Sequence, residues 1–107
     1  LAYELSHPEA AVHGNASDPS GPLWDLVAAY EAERTGGVLL PVLCTGFTDS
    51  VYLRREFDTS AFGYSPFVST PTRIVEEGYH NRDERVHVDD IALATEFHVL
   101  AARALLG

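Results

Sequence analysis

A run of seven residues that are nearly all apolar, VLLPVLC at positions 38–44, constrains the fold more than any other feature of the chain. A short apolar run of this kind is typical of a strand that is covered on both faces, as in an α/β sheet. Its proline, Pro41, indicates an edge position or an irregular strand. Residues 60–65 are a second candidate strand, and residues 1–7 alternate apolar and polar side chains as a half-buried strand does. These segments predict a sheet.

Amphipathic helices are predicted near 22–34 and 89–105, with a shorter helix at 48–57. In the first, apolar residues recur at the spacing of one helical face, namely at Leu23, Leu26, Val27 and Tyr30. In the last, which Asp89 is expected to cap, the apolar stripe is formed by Leu93, Phe97, Leu100, Ala101 and Ala104. The order strand, helix, strand, helix, strand, loop, helix predicts an α/β fold, a mixed sheet flanked by helices.

The composition limits the classes of partner. The 107-residue chain has a formal net charge of −9 and no basic stripe, so it repels phosphate and we expect no nucleic-acid partner. No apolar run approaches the roughly 20 residues of a membrane-spanning helix, so we expect no membrane partner and predict a soluble, cytoplasmic protein. The single cysteine, Cys44, excludes an internal disulfide, and its apolar neighbours favour a buried structural thiol over a nucleophile.

Two loops follow predicted strands and are therefore candidate ligand sites, because ligands of α/β sheets gather at the carboxyl ends of the strands. For the same reason we expect the two loops to lie next to each other. The first contains Gly46, Thr48 and Asp49 at a strand-to-helix turn. Backbone N–H groups and a hydroxyl at the start of a helix suit an anionic group. An ordinary capping turn is the alternative interpretation, and the local pattern alone favours it.

The second loop is the charged passage EEGYHNRDERVHVDD, residues 76–90. In it His80 is followed by Asp83 and Glu84, and a neutral imidazole with nearby carboxylates is a common zinc arrangement. One histidine is not a metal site, however, and a hydrogen-bonded loop histidine is the simpler interpretation. The other histidines show no spacing typical of a local metal cluster; they are His7, His13, His87 and His98.

Four segments, taken in order, favour the interpretation of His80 as a metal ligand over that of a loop histidine. GFTDSVYLRRE, SAFGYSPF, YHNRDERVHVDD and the terminal amphipathic helix resemble the C-terminal part of a co-catalytic zinc metallopeptidase and amidohydrolase family. This family includes aminoacylase, acetylornithine deacetylase, succinyl-diaminopimelate desuccinylase and glutamate carboxypeptidase. The resemblance covers residues 20–106, nearly the whole chain. It implies the C-terminal part of a zinc-exopeptidase-like catalytic domain.

The resemblance also implies roles for individual residues. His80 would be the last metal ligand, and Glu84 would stabilise its turn or orient it. The substrate's carboxylate would be held by the first loop, through Gly46, Thr48 and Asp49. Two departures leave the substrate open, because Phe47 replaces the family's second glycine and Val51 stands where many relatives have arginine.

The remaining parts of such an enzyme are expected elsewhere. The family's active site holds two zinc ions, with cobalt or manganese as alternatives, and its other ligands and general base come from the N-terminal half of the same catalytic domain. Because these groups come from the N-terminal half, we expect no catalytic residue within this segment and no activity of the segment alone. The expected substrate is a small N-acyl amino acid or peptide.

The resemblance predicts a domain division as well. Residues 1–14 would be the end of a lid domain, which dimerises in relatives, and the return linker; residues 15–107 would be the C-terminal segment of the catalytic domain. A chain that starts without methionine and in mid-pattern is expected to be part of a longer protein, which the resemblance implies to be a homodimer. The alternative is a non-catalytic, stand-alone remnant or binding module of the same fold.

Overall fold

The computed structural model describes residues 2–4, 6, 13–44 and 46–107, and in these ranges it contains four helices and no strand. The helices are α1 (Pro22–Arg34), α2 (Ser50–Phe57), α3 (Thr72–Gly78) and α4 (Val88–Leu106). The predicted α/β fold with a mixed sheet is therefore wrong for the described part of the chain, which is helical.

The two long helices lie where their periodicity predicted them. Pro22 opens α1 at a position where a missing N–H costs nothing, and Gly21 before it adopts a φ of 88°. For α4 the bounds are right within a residue, but the cap differs from the prediction. His87 caps the helix, because its Nδ1 accepts a hydrogen bond of 3.2 Å from the backbone N–H of Asp89.

The apolar run belongs to no helix and is not part of a sheet. A strand exists only when a neighbouring strand takes up its backbone hydrogen bonds, and none of the described residues supplies one. Four large side chains of the run are 72–88% exposed, namely those of Val38, Leu40, Val42 and Leu43, whereas Leu39 packs against the core of the second unit. The predicted strand at 60–65 is absent for the same reason. Cys44 is exposed, so the prediction of a buried thiol is wrong.

The chain forms two compact units. The first comprises Leu1–Asp18 and Leu43–Ala61, and the second Pro19–Val42 and Phe62–Gly107. In the first unit, Asn15 donates to the carbonyl of Val51 at 3.0 Å and accepts from Arg54 at 2.7 Å. Ser17 and Ala61 exchange two hydrogen bonds. These contacts fasten α2 to the segments on either side of it.

In the second unit α1 packs against α4. Val27, Tyr30 and Phe97 are buried at this contact. The Phe97 ring meets Tyr30 and Tyr64 edge-on, with centroids 5.1 and 4.7 Å away, and the Tyr30 hydroxyl donates to the carbonyl of Leu93 at 3.1 Å. Part of each predicted apolar stripe thus forms the core of this unit, whereas Leu100 and Ala104 of the α4 stripe are exposed.

Among the described residues, no helix has the length and apolar character that crossing a bilayer requires. Much of the predicted lid segment, residues 1–14, lies outside the described ranges, so this domain division stays a prediction.

Candidate functional site

His80 lies in a tight turn directly after α3. The N–H of Asn81 donates to the carbonyl of Gly78 at 3.0 Å, and the Asn81 side chain donates to the carbonyl of Glu77 at 3.1 Å. Within this turn His80 has a φ of 54°, a left-handed conformation that is uncommon outside glycine. Its side chain is exposed. The turn therefore presents the imidazole to solvent on a backbone held by hydrogen bonds.

Two acidic residues, Asp83 and Glu84, follow His80 in the sequence. Asp83 is also left-handed, with a φ of 65°. Gly78 is buried, and a side chain there would meet Glu84, whose Cα would lie 3.7 Å from an added Cβ. Within the described ranges, neither ring nitrogen of His80 is hydrogen-bonded or ion-paired. The suggested orienting role of Glu84 stays a prediction; the structure places Glu84 against Gly78.

The other histidines of this unit are engaged. The His87 ring caps α4, and its Nδ1 also lies 3.4 Å from a carboxylate oxygen of Asp89. The His98 ring lies on α4 with its Nδ1 2.6 Å from the carbonyl of Ala94. Both rings are thus tied to their own helix.

The Gly46–Asp49 turn belongs to the first unit and precedes α2. The hydroxyl of Thr48 accepts a hydrogen bond of 3.4 Å from the N–H of Ser50, the first residue of α2, and the carbonyl of Thr48 accepts from Val51 at 3.1 Å. Asp49 is the N-cap residue, but its side chain makes no capping bond. This geometry matches an ordinary helix-capping turn. Because His80 lies in the other unit, the predicted neighbourhood of the two loops stays a prediction.

An aromatic pair lies beside this turn. Phe47, which replaces the family's glycine, meets Tyr52 edge-on with centroids 5.9 Å apart, and the Arg55 guanidinium stacks 5.3 Å from the centre of the Tyr52 ring. The glycine departure thus adds an exposed aromatic side chain next to the predicted substrate loop.

A buried carboxylate, which no local sequence pattern revealed, binds the backbone of residues 68–70. Asp90, in the first turn of α4, is 1% exposed. Its oxygens accept from three successive backbone N–H groups, those of Val68, Ser69 and Thr70, at 3.0, 2.8 and 2.7 Å, and from the Thr70 hydroxyl. Burial raises the pKa of this carboxyl, but these hydrogen bonds outweigh it and lower the pKa to about 2.

The same unit contains an open groove of about 940 Å³ between α3, residues 84–86 and α4. Its lining is largely apolar, with Phe67, Ile74, Val86, Ile91 and Val99. Arg85 and His98 add polar groups. The groove reaches Tyr79, the neighbour of His80, although His80 itself does not line it.

In the ranges that the structure describes, no group of three or more His, Cys, Asp or Glu side chains could hold one ion. His80 fits a single ligand position, because its ring is exposed and makes no hydrogen bond there. Any further ligands would have to come from outside the described groups.

Comparison of the chain with models of protein families, with curated proteins and with solved structures finds no match.

Proposed function

We propose that this chain is the C-terminal segment of a co-catalytic zinc amidohydrolase or exopeptidase, in which His80 binds one of two zinc ions, or cobalt or manganese in their place. The complete enzyme would cleave the amide bond of a small N-acyl amino acid or peptide. The observation that carries the proposal is the exposed imidazole of His80 on its left-handed, hydrogen-bonded turn. The order of the four sequence segments supplies the chemical class.

The conformation of His80 supports a role outside packing. A non-glycine residue in the left-handed region costs on the order of 1 kcal/mol or more, and such residues cluster at functional sites. The ring is exposed, so burial does not offset this cost. A residue that stabilises the fold so little, yet is held in one place by its turn, suits a ligand.

The chain would supply only some of the groups that amide hydrolysis requires. Zinc bound at such a site lowers the pKa of its water to about 7, which supplies the nucleophile. His80 would hold one ion through a neutral ring nitrogen. The Gly46–Asp49 turn would bind the substrate's carboxylate through backbone N–H groups, since the Thr48 hydroxyl already faces α2. The remaining ligands and the general base would come from the N-terminal half of a homodimeric enzyme.

A non-catalytic binding module is the second candidate. The apolar groove favours it, because a concave apolar site with a few polar groups is the usual form of a small-molecule site. This alternative predicts that the isolated chain binds a small apolar molecule and that substitution of His80 leaves this binding unchanged.

Replacing His80 tests the proposal in the complete protein that contains this chain. In His80→Ala we expect one zinc fewer per subunit. The amide-hydrolysis rate should fall by more than the roughly 10- to 100-fold that loss of an outer metal-site partner costs. The fold should persist, because the ring is exposed.

His98→Ala is the matched control, since that ring is bound to the carbonyl of Ala94. His87→Ala should cost about 1 kcal/mol through the lost cap without changing the zinc content. Zinc content is measured by elemental analysis and hydrolysis with N-acetyl amino acids. A fully metallated and active His80→Ala protein would disprove the proposal.

A further inference from the structure

The segment that contains His80 is joined at its two ends. Residues 71–86 hold α3 and the His80 turn, and this segment starts after Thr70 and ends before His87. The backbone N–H of His87 donates to the Thr70 hydroxyl at 2.8 Å. Two residues 17 positions apart in the sequence are thus connected by one side-chain oxygen.

The Thr70 hydroxyl performs two tasks at once. It accepts from His87 and donates its proton to a carboxylate oxygen of Asp90. Only a group that is both donor and acceptor can do this, and a hydroxyl is such a group. Serine would keep both bonds, whereas valine, which has nearly the shape of threonine, would lose both.

Asp90 provides the fixed point. It lies in the first turn of α4, which packs on α1, and its buried carboxylate also holds the backbone N–H groups of Val68 and Ser69. Hydrogen bonds to a charged acceptor are roughly twice as strong as neutral ones. The Thr70 end of the segment is therefore bonded directly to Asp90, and the His87 end is connected to Asp90 through the Thr70 hydroxyl.

We propose that Asp90 and Thr70 are positioning residues that hold both ends of the segment 71–86 and thereby set where His80 lies. The turn around His80 is bonded internally through Asn81, so it moves as one piece with the end of α3. The location of the turn then depends on the hydrogen bonds that Thr70 makes to His87 and Asp90. The attachment itself follows from the structure alone, while the consequence for the metal rests on the proposed function.

Amide hydrogen exchange of the 107-residue chain tests the attachment. In Thr70→Val we expect the His87 amide to exchange about tenfold faster, since one hydrogen bond is lost. The NMR signals of the His80 ring should broaden or split as the turn samples several positions. Thr70→Ser should behave as the unsubstituted chain does. Thr95→Val is the control, because that hydroxyl bonds only within α4, to the carbonyl of Ile91.

Unchanged His87 exchange in Thr70→Val would overturn the inference. If Thr70→Val loses its fold, the amides of α1 also exchange faster. The comparison of Thr70→Ser with the unsubstituted chain then tests the inference. Faster His87 exchange in Thr70→Ser, which keeps the hydroxyl, would equally overturn the inference.

Zinc titration of the complete protein tests the consequence. We expect the zinc affinity to fall about tenfold in Thr70→Val, with Thr70→Ser restoring it. If His80→Ala removes a zinc ion but Thr70→Val binds zinc as tightly as the unsubstituted protein, the positioning role is wrong and the proposed function stands. If His80→Ala keeps every zinc ion, the proposed function itself fails, and with it the positioning role.

Discussion

Asp90 keeps its charge although its carboxylate is almost fully buried. Burial alone would raise the pKa of this group, but the N–H groups of residues 68–70 and the Thr70 hydroxyl stabilise the ionised form and lower the pKa from 3.8 to about 2. A carboxyl whose pKa is lower in the folded than in the unfolded state stabilises the fold above its unfolded pKa. This stabilisation is lost as the pH falls through the folded pKa.

Acid titration of stability tests this residue. We expect the free energy of unfolding to decrease as the pH falls from 3.8 to about 2, because the unfolded Asp90 takes up a proton before the folded one does. Asp90→Asn should weaken this decrease and cost about 2 kcal/mol at neutral pH, the loss expected for hydrogen bonds to a charged group. Urea denaturation across this pH range measures both effects.

The exposed Asp18 offers the control for that titration. Asp18→Asn makes the same chemical change at a residue outside the buried hydrogen-bond network. The free energy of unfolding of this variant should therefore depend on pH as that of the unsubstituted chain does. Identical acid dependence in Asp90→Asn would contradict the role given to the carboxylate.

Single residues differed in how far the sequence could predict them. His80 was singled out by its chemistry and its surroundings, and the structure places it on an exposed turn. The adjacent Asp89 and Asp90 could not be distinguished, because the groups that bury Asp90 lie about twenty positions earlier, at residues 68–70. Side chains bonded across such a distance leave no local pattern.

Helices and strands also differ in how far they can be predicted from the sequence. The hydrogen bonds of α1 and α4 are internal, so an apolar period near 3.6 residues was sufficient to predict both helices. The apolar run at 38–44 has no such internal bonds, and its prediction as a strand depended on a partner that the described residues do not contain. The sequence analysis treated α3 as loop, since its seven residues carry only a short periodic pattern.

The contact between α1 and α4 predicts a large loss at Phe97. This ring is buried and touches both Tyr30 and Tyr64, so Phe97→Ala should destabilise the chain by about 3–5 kcal/mol. Val99→Ala, on an exposed face of the same helix, should cost about 1 kcal/mol or less. Thermal or urea denaturation compares the two. Equal losses of unfolding free energy in the two variants would contradict the packing of α4 through Phe97.

At the scale of the whole molecule, apolar surface is left uncovered. The side chains of Val38, Leu40, Val42 and Leu43 are largely exposed, as is that of Leu106 at the end of α4. Contiguous exposed apolar surface usually marks a site of interaction. The proposed function assigns this surface to the N-terminal half of the enzyme, which would also supply the ligands that the described residues lack.

The proposed function requires that His80 binds a catalytic metal. A crystal structure of the complete zinc-loaded protein tests this requirement. We predict a ring nitrogen of His80 at about 2.0–2.1 Å from one zinc ion, the usual distance for an imidazole ligand. A fully occupied zinc site whose ligands do not include His80 would contradict the claim.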